Sequence, residues 1–162
     1  MSAGSTTRIA NATWEAMFRA QSTLALELAE GDVWDGLVPR DYGVLYALST
    51  GPADGMRMVD LRADVLLTQP GISRLVARLE ARGLVERDDD PDDARAARIR
   101  LTPEGAAMQR RVGLAHGRHV AKAMARALDR DELLQLQALC ERLIEAAAEQ
   151  RGGDRTRKEA TA

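Results

Sequence analysis

The chain has 162 residues, 45% of them hydrophobic, so its length and composition suit one domain with a buried core. A formal net charge of −2 excludes a polycation that coats nucleic acid, so a nucleic-acid contact would need a local arrangement of arginines. The single cysteine, Cys140, excludes an internal disulfide framework and a CxxC zinc site. The N-terminus lacks an apolar signal core, and no apolar run reaches the roughly 18–20 residues that span a bilayer, so we expect a cytoplasmic protein.

Two helices are predicted at the start of the chain. Apolar side chains recur at helical spacing from about Thr7 to Glu30, and Gly31 breaks this pattern. The second helix begins near Pro39, because proline is well tolerated at a helix start.

The middle of the chain predicts a helix-turn-helix. A short strand at 56–58 and a short helix at about 59–66 precede a helix from Thr68 to Arg82. Thr68 is the predicted N-cap of this helix, and Gly83 is its predicted C-terminal stop. The helix carries an apolar stripe at i, i+3, i+4 and i+7, made of Ile72, Leu75, Val76 and Leu79.

A hairpin and two more helices are predicted next. Residues 84–87 and 98–101 alternate as strands, and the polar segment 88–97 between them is predicted as a long tip. Thr102 caps a helix that runs to about Leu128, and a last helix starts near Asp129. The last helix has an apolar stripe made of Leu133, Leu136, Cys140, Leu143, Ile144 and Ala147.

This order of elements predicts a mainly α fold with a small β-wing, a winged helix-turn-helix with long flanking helices. We expect a single domain over 1–162, with the winged module at 39–102 and dimerisation helices at 7–38 and 103–149. Residues 1–6 are expected to be frayed and residues 150–162 to form a disordered tail. The flanking helices carry more apolar surface than the module can cover, which predicts a partner, by default a second copy of the chain.

The helix from Thr68 to Arg82 is a candidate reader of double-stranded DNA. Arg74, Arg78 and Arg82 are spaced by four and form one basic edge opposite the apolar stripe. The turn at 68–71, Thr-Gln-Pro-Gly, allows close approach of the backbone, and the positive helix end favours phosphate. The alternative is an ordinary surface helix with three solvated arginines.

The hairpin tip is the second candidate contact. Asp93 precedes Arg95 by two residues and can hold its guanidinium by paired hydrogen bonds, which would let Arg95 enter a minor groove. The acids at 88–92 oppose this, since they repel DNA. The alternative is a solvated acidic turn.

Three stretches of the sequence together resemble the MarR family of bacterial transcription regulators. They are QPGISRLVARLEARGLVER from Gln69, DPDDARA from Asp90 and LTPEG from Leu101. The resemblance covers about 56–105 strongly, and the flanking helices match in order and length.

The resemblance implies a homodimer whose first and last two helices form the dimer interface, with a palindromic DNA operator. It places one recognition helix in each major groove and one wing tip at each minor groove. It assigns DNA contacts to Thr68, Gln69, Pro70, Gly71, Ser73, Arg74 and Arg78, and the wing motif to Asp93 and Arg95. It also implies an aromatic or anionic effector, for which Trp14, Phe18, Tyr42 and Tyr46 are candidate pocket residues; plain core packing is the alternative.

Other candidate sites are weaker. His116 and His119 share a helix face and provide two metal ligands, but no cysteine or further histidine completes a site, so no metal or cofactor is expected. Cys140 lies on an apolar stripe and is expected to be a buried, inert thiol.

The sequence therefore predicts a dimeric, sequence-specific DNA-binding regulator, a repressor that a small molecule releases. A winged-helix module that binds a protein instead of DNA is the alternative. No enzyme is expected, because no nucleophile lies beside a base and no glycine loop for phosphate is present.

Overall fold

The computed structural model describes residues 3–65, 69–90 and 93–159. It is mainly helical with a small sheet, as the sequence predicted. In chain order the elements are α1 Ala3–Ala29, α2 Pro39–Thr50, β1 Met56–Arg57, α3 Met58–Asp64, α4 Gln69–Ala81, β2 Val85–Asp90, β3 Asp93–Leu101, α5 Pro103–Met124 and α6 Arg130–Glu159. Across the described ranges, every helix is too short or too polar to cross a lipid bilayer.

The sheet is antiparallel with the strand order β1-β3-β2. β1 places Met56 opposite Ile99, and the hairpin places Val85 opposite Leu101. Its strands continue to Asp90 and from Asp93, so the predicted long tip at 88–97 is wrong. Acidic residues of β2 lie across from basic residues of β3, and such opposite-charge pairs stabilise a ladder that hydropathy alone does not reveal.

The core of the winged module lies between α2, α3, α4, the sheet and the first turns of α5. Its completely buried side chains come from every one of these elements. They are Val44, Leu45, Leu61, Ile72, Val76, Leu79, Val85, Ile99 and Val112.

Two predicted helix boundaries are confirmed. Gly83 has a positive φ of 69°, and the Leu84 N–H donates to the Leu79 carbonyl oxygen at 3.0 Å, the bond that closes a Schellman motif after α4. At the start of α5, the Gly105 N–H donates to the Thr102 hydroxyl at 3.0 Å. The predicted cap of α4, Thr68, lies outside the described residues.

The chain divides into two compact units, Met1–Val120 and Ala121–Ala162, where the sequence predicted a single domain. Both terminal helices are longer than predicted. α1 begins at Ala3 within the segment expected to be frayed, and α6 continues to Glu159 through most of the expected disordered tail. Once a helix is nucleated, each further residue adds a hydrogen bond, and both helices extend in this way through weak helix formers such as Gly4 and Gly152.

Candidate nucleic-acid interface

Helix α4 is fixed to the module by its apolar stripe. Ile72, Leu75, Val76 and Leu79 are all buried, as their spacing predicted. Burial of four aliphatic side chains contributes about 1.5–3 kcal/mol each, so this stripe is the main force that holds α4 in place. The other face of α4 is thereby turned outward.

The predicted DNA-contacting residues lie on this outward face or in the first turn. Gln69 and Pro70 begin α4, Gly71 and Ser73 are half-buried, and Arg74 is exposed. Thr68 falls outside the described residues. The structure therefore places the predicted contacts from Gln69 to Arg74 in the N-terminal half of α4, and Arg78 in its C-terminal half.

The predicted basic edge of α4 has fixed partners at its C-terminal half. Arg78 donates from Nη2 to Oδ1 of Asp41, which is 2% exposed, while its own side chain remains 51% exposed. One turn later, Arg82 Nη1 donates to the carbonyl oxygen of Gly36 at 2.9 Å. These bonds join α4 to α2 and to the loop before it.

Asp41 was missed by the sequence analysis. Its Oδ2 also accepts the Val38 N–H at 3.2 Å, which satisfies a free donor at the start of α2. An acid in the first turn of α2, three residues after Val38, is a recognisable capping position. Its second role, as partner of Arg78, depends on a contact 37 residues away in sequence.

The predicted wing residues lie at the start of β3. Asp93 is exposed, and Arg95 lies within the same strand, while the side chain of Arg95 falls outside the described part of the structure. The hairpin that carries them joins the module through β1 and the buried Ile99.

Asp90 ends β2 opposite Asp93, binds arginines of β1 and β3 at the far part of the hairpin, and was also missed. It is 4% exposed and accepts two bonds from Arg57, at 2.6 Å from Nε and 2.9 Å from Nη2. Arg98 Nε donates to the same carboxylate at 3.1 Å, and Arg98 also binds Asp54. Because a buried carboxylate is costly unless paired, this two-arginine arrangement fixes the end of β2 to β1 and β3.

Several other acids of the wing are also paired. Arg100 of β3 binds both Asp88 and Glu86 of β2, the latter at 3.2 Å. Arg87 binds Glu80 of α4 at 2.9 Å. Of the acidic run that opposed DNA binding in the sequence, Asp88 and Asp90 are therefore paired with arginines of the sheet.

The four candidate effector residues are not gathered into one cluster. Trp14 and Phe18 are exposed on α1, at 60% and 57%, and within the described ranges neither makes a ring contact with Tyr42 or Tyr46. Tyr42 and Tyr46 do approach each other, with ring centroids 6.1 Å apart.

Tyr42 instead belongs to a cluster with Trp34 and His116. The His116 ring lies 4.9 Å from Trp34 and 5.4 Å from Tyr42 between centroids. Burial, and to a lesser extent the neighbouring His119, lowers the pKa of His116. Burial and the nearby Tyr46 raise the pKa of Tyr42, against a hydrogen bond from Gln109. Within the described part of the chain, Nδ1 of His116 is buried without a hydrogen-bond partner.

No group of three His, Cys, Asp or Glu side chains that could hold a metal ion is found among the described residues. Cys140, expected to be buried, is half-buried on α6.

Comparison with protein families gives a match to the MarR family over residues 35–96. The matched range contains α2, the helix-turn-helix and most of the hairpin. The multiple antibiotic resistance protein MarR of Salmonella typhimurium is 27% identical over 86 residues, 53% of this chain and 60% of that protein. The match thus spans less than two thirds of this relative.

Solved structures match over most of the chain. Sco3205, a MarR family transcriptional regulator from Streptomyces coelicolor solved in complex with DNA, is 29% identical with a TM-score of 0.72, over 84% of this chain and 86% of that one. PcaV from the same organism is 31% identical with a TM-score of 0.62, over 85% of this chain and 98% of that one. PcaV has also been solved in complex with its natural ligand. Taken with the winged helix-turn-helix described above, these matches show that the chain belongs to the MarR family.

Proposed function

We propose that the protein is a dimeric, sequence-specific regulator of transcription that binds double-stranded DNA. The observation that carries the proposal is the outward face of α4, which presents Ser73 and Arg74 while the apolar stripe of the helix is buried in the core. A helix of this size fits the major groove, where such side chains reach base edges. The relative Sco3205, which has been solved with DNA, supports this use of the fold.

The wing supplies the second contact of the proposed interface. Asp93 and Arg95 begin β3 at the far end of the hairpin, where Asp90 lies opposite Asp93 and binds Arg57 and Arg98. A rigid hairpin lets an arginine enter a narrow minor groove at low entropic cost. Major-groove and minor-groove contacts together define the register of the module on DNA.

A homodimer and a palindromic operator belong to the same proposal. α1 and α6 expose large apolar side chains, which are costly to leave in water. They are Ile9, Trp14, Met17, Phe18 and Leu26 on α1, and Leu134, Leu136, Leu139, Leu143 and Ile144 on α6. An identical chain is the default partner for such faces, and a two-fold axis requires a two-fold DNA site.

We further propose that a small aromatic or anionic effector releases the protein from DNA, so that it acts as a repressor. The ligand complex of the relative PcaV supports an effector. In this chain Tyr42 and Tyr46 remain the paired candidates of the predicted pocket.

The test of the proposed function is protection mapping on DNA around the protein's own gene, followed by binding titrations at several salt concentrations. A palindromic protected site whose affinity falls steeply with salt supports a DNA-binding regulator, because each neutralised phosphate releases counterions. The alternative function, a winged helix that binds a protein, predicts no protected site and an interaction that is insensitive to salt.

Arg95→Ala tests the wing contact. If Arg95 reads the minor groove, this change lowers operator affinity by about 1–3 kcal/mol. Arg118→Ala, at an exposed arginine of α5 outside the proposed interface, is the control and leaves affinity unchanged. Equal affinities for both variants and the wild type would remove Arg95 from the interface.

A further inference from the structure

We propose that Arg78 and Arg82 are positioning residues, which orient α4 for DNA by binding Asp41 and the Gly36 carbonyl oxygen, and that they do not read the operator themselves. The inference rests on the proposed function, since it concerns how the same helix recognises DNA. It changes the role of Arg78, which the sequence assigned to a direct contact.

The two contacts occupy successive turns of the same edge of α4. Arg78 forms an ion pair with Asp41, and Arg82 donates to the Gly36 carbonyl oxygen at 2.9 Å. Asp41 is 2% exposed and has no free oxygen, because its second oxygen accepts the Val38 N–H. A buried carboxylate needs its partner, so the guanidinium of Arg78 is retained where it lies.

These polar contacts restrain the rotation of α4 about its axis, which the apolar stripe does not. Burial of Ile72, Leu75, Val76 and Leu79 is strong but non-directional, so it tolerates small rolls of the helix about its axis. Hydrogen bonds to fixed acceptors are directional and oppose such a roll. Binding groups need placement to within about 0.5 Å and about 10–20°, which is finer than aliphatic packing alone defines.

The loop that carries the Gly36 carbonyl oxygen has contacts of its own to neighbouring elements. Trp34 is buried, and its Nε1 donates to the Ala29 carbonyl oxygen at 3.1 Å. Asp35, next to Gly36, accepts from Arg111 of α5 at 2.8 Å and 2.9 Å. The loop between α1 and α2 is therefore bound to α5 as well as to Arg82, so it can hold the end of α4 in a defined orientation.

The anchors and the proposed readers occupy different halves of α4. Arg78 lies in the C-terminal half and Arg82 follows the last residue of the helix, while Gly71, Ser73 and Arg74 lie in the N-terminal half. Fixing one end of a short rigid helix sets the direction in which the other end projects.

The experiment is a double-mutant cycle on the full-length protein with Asp41→Asn, Arg78→Gln and the double variant. The asparagine side chain keeps an oxygen that can accept the Val38 N–H, so Asp41→Asn removes the charge and spares the cap. Each variant is titrated with the mapped operator and with a scrambled duplex at several salt concentrations. Circular dichroism verifies that each variant is folded.

The expected result is a fall in the ratio of operator to scrambled-DNA affinity by roughly 3- to 30-fold in each single variant. The double variant loses no more than either single one, because both remove the same contact. The slope of log affinity against log salt is unchanged. Arg74→Gln, at a proposed base reader, is the matched control; it lowers operator affinity by roughly 5- to 150-fold, and its effect adds to that of Asp41→Asn.

Two results would overturn the inference. If Arg78→Gln reduces the salt slope by about 1 while Asp41→Asn leaves the specificity ratio unchanged, Arg78 contacts DNA directly. If neither variant changes the ratio of operator to scrambled-DNA affinity, the contact between Arg78 and Asp41 does not affect recognition.

Should Asp41→Asn fail to fold, Arg82→Gln decides the question, since Arg82 is exposed. An unchanged affinity ratio in Arg82→Gln then refutes the inference. If the wild-type protein binds no DNA, the proposed function itself is wrong. This outcome differs from failure of the inference, in which the wild type binds the operator and only the variants behave differently from the expectation.

Discussion

The His116 imidazole lies between the rings of Trp34 and Tyr42, and this environment favours its neutral form. Burial and the nearby His119 lower its pKa, so near the ordinary value of about 6.5 the unfolded chain takes up a proton that the folded chain does not. Above about pH 6.5 the contribution of neutral His116 to the free energy of unfolding is therefore complete. It is lost as the pH falls from about 6.5 towards the lowered pKa of the folded state.

We expect His116→Phe to flatten the pH dependence of stability below about pH 6.5, because phenylalanine keeps the ring packing and does not titrate. Thermal unfolding of wild type and variant at neutral and mildly acidic pH measures the difference. His119→Gln is the control and retains most of the dependence, since burial is the larger cause of the shift. If the melting temperatures of wild type and His116→Phe fall equally between neutral and mildly acidic pH, this assignment is wrong.

Asp90 is the second residue whose environment predicts a measurable effect. Asp90→Ala leaves Arg57 and Arg98 without their buried partner and lowers the free energy of unfolding by about 3 kcal/mol. This is the low end of the range for a buried pair, because Arg57 is 38% exposed. Denaturant unfolding at fixed protein concentration gives the value. Asp89→Ala, at the exposed neighbour in the same strand, changes stability by less than about 0.5 kcal/mol, and a similar loss in both would refute the role of the pair.

At the scale of elements, the junction between the hairpin and α5 leaves no room for a side chain at Gly105. A Cβ there would lie 1.8 Å from the Leu84 carbonyl oxygen, so backbone has to move. Gly105→Ala is expected to destabilise the fold by about 1–3 kcal/mol or more.

Gly117→Ala on the same helix is the matched control for this junction. A Cβ at Gly117 meets nothing within 4 Å, so alanine raises stability by up to about 1 kcal/mol through helix propensity. Opposite shifts of the melting temperature are the expected outcome, and a neutral Gly105→Ala would contradict the tight packing.

Elements defined by local patterns were predicted well from the sequence. The stripe from Ile72 to Leu79, the stop at Gly83 and the cap at Thr102 all depend on residues within one or two turns. The length of β2 and β3 was not predicted, because their polar strands are stabilised by partners on the opposite strand, such as Glu86 and Arg100.

The candidate site was predicted less completely, for the same reason. The face of α4 follows from periodicity, whereas the pairing of Arg78 with Asp41 joins positions 37 residues apart and needs the folded core. The aromatic set was also only partly predicted. Tyr42 packs on Trp34 and His116, which come from two other segments of the chain, rather than on Trp14 and Phe18.

At the scale of the whole molecule, the exposed stripe of α6 is the feature that a dimer has to cover. Leu139 and Leu143 are 54% and 57% exposed. If α6 forms the proposed dimer interface, Leu143→Glu shifts the protein from dimer to monomer and reduces binding to the proposed operator, because a charge in an apolar interface is costly.

Analytical ultracentrifugation over a range of protein concentrations tests this expectation. Ala138→Glu introduces the same charge on the opposite side of α6 and keeps the dimer. If Leu143→Glu sediments like the wild type, the stripe of α6 is not the dimer interface.

The hydrogen bonds of the Thr102 hydroxyl allow the length of the hairpin to vary during evolution. The hydroxyl donates to the Gly83 carbonyl oxygen at 2.6 Å and accepts from the Gly105 N–H at 3.0 Å, so the chain leaves for the hairpin and returns from it at one place. The segment between Gly83 and Thr102 is therefore a hairpin whose two ends are joined by this hydrogen bond. Residues can be inserted or removed at its far end without moving the helices on either side. The length of the hairpin can therefore change while the position of α4 in the module is kept.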